Sequence, residues 1–309
     1  MISGDAVFAA IDPRTAIASV RQAFERHARG DWQMPAKVYL DSQPHGDFRA
    51  MPALGDGLAL LKWVTSFPGN SAKGLPVVRG EVLLSDAETG EELAVIECSS
   101  VTSLRTGAAA AVSAEVLAAE GARSVGIIGC GVNGAWAARC LAAAGYGPGV
   151  CADVRAEVAE RLAAELDWRT GDRAEAAAQD VVVTVTPGDE PVILASDLRD
   201  GQHIAVLGAD AHGKREVELD AIERCRLFCD EWEQASAGGE LANGVEAGVV
   251  KREDVTQIGD VLGGGAGRER DDEITLFDST GLAIQDLAIC RAVYERWKSG
   301  ELDAPVVTL

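Results

Sequence analysis

The stretch that most constrains this chain is residues 124–153, SVGIIGCGVNGAWAARCLAAAGYGPGVCAD. A short apolar run at 125–128 leads into Gly129, Gly131 and Gly134, spaced G-x-G-x-x-G. An alanine-rich segment without proline or glycine follows over 135–144. A second apolar piece then ends at Asp153. Strand, tight turn, helix, strand and acid in that order match one half of a dinucleotide-binding unit. Each glycine has its own reason. Gly129 makes the turn, Gly131 lets the backbone approach a pyrophosphate, and Gly134 lets the helix lie against the strand. The helix start, with Val132 and Asn133, offers free N–H groups and a positive dipole end to phosphates. Asp153 stands where an acid hydrogen-bonds an adenosine ribose. The plainer alternative is a structural glycine turn in an ordinary α/β unit.

Downstream, strand-like segments at 181–185, 204–207 and 227–229 alternate with helical ones near 155–166, 173–178 and 216–224. That alternation predicts a parallel, doubly wound sheet. Residues 36–100 differ in character. Strand-like pieces at 36–40, 58–66, 77–84 and 93–98 are separated by Gly, Pro, Asn and Asp, with a hairpin turn at 86–90. They predict a separate antiparallel sheet. A helix over 12–30, capped by Asp12 with Pro13 behind it, precedes this region. A small-residue helix over 103–120 leads into the glycine turn. The GGGAG run at 263–267 reads as a surface loop. An amphipathic helix over 281–298, with Leu282, the run 284–289, Val293 and Trp297 as its apolar face, is expected to return to the first domain. The expected domains are residues 1–115 with 281–309, and 116–280.

The balance of 28 basic against 49 acidic residues, a net charge of −21, argues against binding to nucleic acid or an anionic membrane. The seven cysteines form no C-x-x-C pair, and Cys225 and Cys229 have no His or further Cys near enough to complete a zinc site. They read as free thiols in a reducing compartment, with no metal. No basic N-terminal region and no apolar run near 18 residues is present, so the expected location is cytoplasmic.

Four residues could carry chemistry. Lys62, in LALLKWVTSF, either snorkels outward or points into a site. Arg105 is the only charge between Glu97 and Glu115. It could grip a carboxylate bidentately or pair with a nearby acid. Asp210 follows VLGA at the end of a parallel strand, where open sheets place their ligands. It would suit proton transfer, or it caps the next helix. Lys214 could neutralise a phosphate or Asp210.

These segments resemble the ornithine cyclodeaminase/μ-crystallin family, which includes archaeal-type alanine dehydrogenases and cyclic-imine reductases. The resemblance rests on PAKVYL, MPAL at 51–54, LKWVTSFPGNSAKGLP at 61–76, VTSLRTGAAAA at 101–111, GCGVNG at 129–134, GADAHGK at 208–214 and FDSTGLAIQDLAI at 277–289. It implies a Rossmann domain inserted into a discontinuous α+β substrate domain, whose antiparallel sheet pairs across a homodimer. It also implies roles. Lys62 matches the substrate-binding lysine, Arg105 the arginine on the α-carboxylate, and Asp210 the proposed acid/base. Met51 and Lys37 fall at the substrate side. Thr106, Asn133, Asp153, Thr186, Lys214 and Ser279 fall where the family contacts its nucleotide. Lys37 departs from the family's usual arginine and loses the planar fork. Asp153 would repel a 2′-phosphate and Val154 stands where NADP-using relatives carry arginine, so NAD is the expected cofactor.

The resulting expectation is an NAD-dependent oxidoreductase moving hydride at the α-carbon of a small amino or imino acid. A pyrroline-2-carboxylate reductase or an amino acid dehydrogenase would fit. The alternatives are an ornithine-type cyclodeaminase that releases ammonia with no net NADH, and a non-catalytic NAD(H)- or small-ligand-binding protein.

Overall fold

A computed structural model describes residues 1–188, 190–209 and 213–306. The chain divides into two compact units, Met1–Arg105 with Leu282–Leu309, and Thr106–Gly281.

In the first unit, α1 (Gly4–Ala10) and α2 (Pro13–Ala28) precede a sheet. Asp12 caps α2 by accepting the Thr15 N–H at 2.9 Å, and Pro13 fills the first helical position, whose N–H would have no helical partner. The sheet is an antiparallel meander in chain order: β1 (Val38–Ser42), β2 (Gly46–Gly55), β3 (Leu58–Ser66), β4 (Val78–Asp86) and β5 (Glu92–Glu97). Asp86 fixes the β4–β5 turn by accepting the N–H groups of Glu88 and Thr89.

The sequence reading did not anticipate β2, because Pro52 lies within it and proline is excluded from central ladders. The register removes the conflict. β1 pairs with β2 only as far as Ala50, so at Pro52 the strand has β3 alone as a neighbour. Period-two alternation buries Met51 and Ala53 on β2, and Leu60, Lys62 and Val64 on β3. The same alternation exposes Leu54, Leu61 and Trp63 on the opposite face.

Helix α3 (Cys98–Leu117) starts in the first unit and continues into the second. Its start lies five residues before the predicted one, because the Glu97 carboxylate caps the N–H groups of Ser99 and Ser100. Small residues allow burial on every side: Ala108, Ala109, Ala110 and Ala111 are all inaccessible.

The second unit is built from β6 (Val125–Ile128), α4 (Val132–Ala143), β7 (Gly149–Ala152), α5 (Ala156–Leu166), β8 (Arg169–Thr170), α6 (Arg173–Ala177) and β9 (Val181–Thr184). Then come β10 (His203–Val206), α7 (Leu219–Ile222), β11 (Arg226–Cys229), α8 (Trp232–Gly238), α9 (Leu241–Glu246), β12 (Val255–Gln257), α10 (Ile258–Leu262) and β13 (Thr275–Asp278). The strands form one parallel sheet in the order β12-β11-β13-β10-β9-β6-β7-β8. β6, β7, β9, β10 and β13 are buried along their whole length, as strands covered on both faces must be. The helix predicted over 216–224 is only the short α7. Glu216 is drawn into the sheet edge and Val217 bridges Ile193, which leaves Leu219 as the first helical residue.

The chain returns to the first unit through α11 (Ala283–Lys298), which packs on α2, β2 and β3. Its first half is buried all round, Gln285 and Asp286 included, so it is not amphipathic from its start. Among the described residues no helix is long and apolar enough to cross a membrane. All seven cysteines are free.

Candidate active site

The first unit buries charge beneath its sheet. Lys62 points inward from β3 and is 1% exposed. Burying an ammonium costs several kcal/mol unless it is paired and hydrogen-bonded. Lys62 Nζ donates to Asp286 Oδ1 at 2.8 Å and to Thr102 Oγ1 at 2.7 Å. Arg105 Nε lies 3.4 Å from the same Asp286 oxygen. It is not aligned for a hydrogen bond, and among the described residues Arg105 Nε and Asp286 Oδ2 are buried without a hydrogen-bond partner. Met51 stands opposite Lys62 in the β2–β3 register and is buried beside it. Lys37 is half-buried in the coil ahead of β1. Cys98 and Cys290 complete the surroundings. Burial raises both thiol pKa values, with Asp286 adding to the rise and Lys62 opposing it, so both sulfurs are neutral.

The second unit carries the glycine turn after β6, where the sheet order reverses between β9 and β7. This is the position at which open parallel sheets bind ligands. Gly129 has φ +94°, and a Cβ there would lie 2.6 Å from the Val185 carbonyl oxygen. A Cβ on Gly134 would collide with the Gly129 carbonyl oxygen. A Cβ on Gly131 would meet nothing within 4 Å, so that side of the turn is open. Gly131 is the N-cap of α4 and supplies no side-chain cap. Val132 is exposed and Asn133 half-buried at the same helix start.

Asp153 follows β7 and staples the turn: its Oδ2 accepts the Cys130 N–H at 2.8 Å, and its Oδ1 accepts the Arg155 N–H at 2.9 Å. Val154 is fully exposed, but Arg155 Nε lies 3.6 Å from Asp153 Oδ1. A cation therefore stands beside the acid, one residue later than the sequence reading looked for it.

Of the other residues expected at the nucleotide, Thr186 and Ser279 lie just beyond the carboxyl ends of strands of the second unit. Thr186 follows β9, and both its N–H and its hydroxyl donate to Glu216 Oε1 at 2.6 and 2.8 Å. Glu216 Oε2 accepts the Gly208 N–H at 2.7 Å. Gly208 must be glycine, because a Cβ there would collide with the Thr186 backbone carbonyl oxygen and lie 2.6 Å from the Glu216 carboxylate. Ser279 follows β13 and donates to Asp230 at 3.3 Å. The Lys214 carbonyl accepts from Asn243 at 3.2 Å. Thr106, on α3, is buried with its hydroxyl unpartnered among the described residues. Asp210 lies outside the described residues.

The family model for the ornithine cyclodeaminase/mu-crystallin family matches residues 5–301. The chain belongs to this family. An alanine dehydrogenase of Archaeoglobus fulgidus is 43% identical over 288 residues, covering 91% of this chain and 89% of that protein. Among solved structures, the NAD-bound dimer of an archaeal alanine dehydrogenase is similar with a TM-score of 0.94 at 39% identity, over 100% of this chain and 98% of that one. The Δ1-pyrroline-2-carboxylate reductase of Thermococcus litoralis, in complex with NADH and L-proline, gives a TM-score of 0.94 at 28% identity, over 99% of each chain.

This member of the ornithine cyclodeaminase/mu-crystallin family also holds buried acids that the sequence reading passed over. Asp286 was absorbed into the apolar face of the last helix. The signal available was an acid inside the otherwise apolar AIQDLAI. Glu216 was placed on a helix that does not reach it. Glu240 accepts the N–H groups of Glu216 and Val217 at 2.8 and 2.9 Å. Burial raises Glu216 against the hydrogen bonds from Thr186 and Gly208, and pushes Glu240 up to about 7 against those from Val217 and Glu216. Asp278, fully buried, is raised well above the carboxylate range by burial, with Asp230 and Glu240 adding to it.

Proposed function

We propose that this protein is an NAD-dependent oxidoreductase acting at the α-carbon of a small amino or imino acid. The observation that carries the reading is the buried Lys62–Asp286–Arg105 cluster. It places two cations against one acid and leaves Arg105 Nε without a hydrogen-bond partner among the described residues. Such a cluster is suited to a carboxylate.

The dinucleotide fits the second unit on the open side of Gly131, the uncapped start of α4 and the unpartnered Thr106 hydroxyl. Gly129, Gly131, Val132, Asn133, Gly134 and Asp153 would hold it, with Thr106, Thr186, Lys214 and Ser279 toward its other end. When bound, NAD supplies or accepts a hydride at the substrate α-carbon. Arg105 holds the α-carboxylate, assisted by Lys37. Lys62 keeps one ammonium N–H free of its two protein partners and turns it to the substrate, with Met51 packing beside it. Asp210 takes or returns the proton at the substrate nitrogen.

A homodimer is part of the same proposal. Leu54, Leu61 and Trp63 expose apolar surface on one sheet face, and Phe48 stacks on Trp63 with ring centroids 5.6 Å apart. A contiguous apolar face on an acidic chain is suited to a second copy.

The test is an NADH-oxidation assay with pyruvate plus ammonia, pyrroline-2-carboxylate and related 2-oxo acids. Pyruvate with ammonia comes first, because the Archaeoglobus alanine dehydrogenase is 43% identical. Stoichiometric loss of NADH is expected, with NADH preferred to NADPH. Arg105→Leu should raise KM by on the order of 10²-fold, with a smaller fall in kcat. Release of ammonia from ornithine without net NADH would make the protein a cyclodeaminase. Tight NADH binding with no turnover on the whole panel would make it a binding protein.

A further inference from the structure

Among the charged groups in contact with Asp286 the charges do not balance; Glu97, which also acts on Cys98, is held at the start of α3 by the Ser99 and Ser100 N–H groups. Lys62 and Arg105 contribute two positive charges, Asp286 one negative, and the Cys98 and Cys290 thiols none. Asp286 is fully buried and is the acid paired with both cations. It reaches them from α11, while Lys62 comes from β3 and Arg105 from α3, so one carboxylate ties three elements of the same unit together. Its Oδ1 is fully engaged and its Oδ2 has no partner among the described residues. A purely structural counter-ion for Lys62 would be expected to satisfy both oxygens at such a depth.

We propose that Asp286 is a positioning residue of the substrate site. By bonding Lys62 and adjoining Arg105 it orients both and leaves the buried cluster with one net positive charge, matched to a substrate bearing a single carboxylate. The proposal rests on the reading that Lys62 and Arg105 hold a substrate carboxylate. Lys37 adds a charge nearer the surface, where water screens it more. Asp286 acts through Lys62 and Arg105 and needs no contact with the reacting atoms.

Asp286→Asn tests this with its shape and acceptor oxygen kept and its charge removed. Oxamate and oxalate serve as probes, since they are close in shape and differ by one negative charge. They are titrated calorimetrically into the NAD-loaded full-length protein. In Asp286→Asn the oxalate-to-oxamate affinity ratio should rise at least tenfold over wild type, because an uncompensated buried cation favours the dianion. Its kcat should fall by tenfold or more, and its NADH Kd should stay within twofold. The double variant Lys62→Gln/Asp286→Asn restores the net charge and should bring the ratio back to within threefold of wild type. It also supplies the test should the single variant not fold, since it buries no extra charge.

A folded Asp286→Asn protein with the wild-type ratio would overturn the proposal, as would a double variant whose ratio stays tenfold raised. Wild-type protein that binds neither anion overturns it too. Wild-type protein that binds oxamate but oxidises no NADH with any 2-oxo or imino acid overturns the oxidoreductase reading alone.

Discussion

At the scale of single residues, two glycines three residues apart, Gly131 and Gly134, separate binding from folding. Gly131 has φ −62°, which alanine adopts freely, and its Cβ would enter open space. Gly131→Ala should therefore keep Tm within about 2 °C of wild type and weaken NADH binding tenfold or more, measured by nucleotide fluorescence, because the methyl group occupies the approach of the pyrophosphate. Gly134→Ala should do the reverse of preserving the fold. Its Cβ meets the Gly129 carbonyl, and overpacking of this kind costs about 1–3 kcal/mol. The spacing of these glycines made the turn legible from the sequence, since each has a separate steric reason. Lys62 and Arg105 were legible as isolated charges in apolar surroundings. Their common partner was not. Asp286 lies 224 residues from Lys62 in the chain, and no local pattern connects a lysine on a strand with an acid on a distant helix.

At the scale of elements, β6, β7, β9, β10 and β11 were readable because burial makes them short continuous apolar runs, whereas β8, β12 and β13 were not anticipated. β2 was hidden by Pro52, whose tolerance depends on where β1 stops pairing, a fact of register. The carboxyl edge of the parallel sheet was hidden for a related reason. Glu216 and Glu240 look like surface acids in sequence, yet they hold Thr186, Gly208 and the 216–217 backbone in place. Their burial has a thermodynamic sign. Glu240 is pushed from 4.5 to about 7, so its folded form prefers to be protonated. Its contribution to stability is fully present below about 4.5 and is lost as the pH rises through about 7. The span corresponds to on the order of 3 kcal/mol. Wild-type protein should lose more stability between pH 5 and pH 8 than Glu240→Gln, in which this proton cannot leave. Chemical denaturation at both pH values measures the difference, and equal losses in the two proteins would contradict it.

At the scale of the whole molecule, the apolar sheet face and the net charge of −21 act against each other in self-association. Hydrophobic contact draws two copies together, and their charges repel over a distance that salt shortens. Leu61→Glu, placed on that exposed face, should shift the protein from the proposed dimer to monomer in light scattering, and salt should strengthen the proposed wild-type dimer. An unchanged mass for Leu61→Glu would move the interface elsewhere.

The Lys62–Asp286 pair also bears on how the chain is made. A ribosome releases Lys62 before the second unit and Asp286 only after the whole of it. Until α11 emerges, the first unit lacks the acid that makes burial of Lys62 tolerable, while every strand of the second unit is already available to fold. The nascent protein thus carries an early-made sheet that must wait for its last helix.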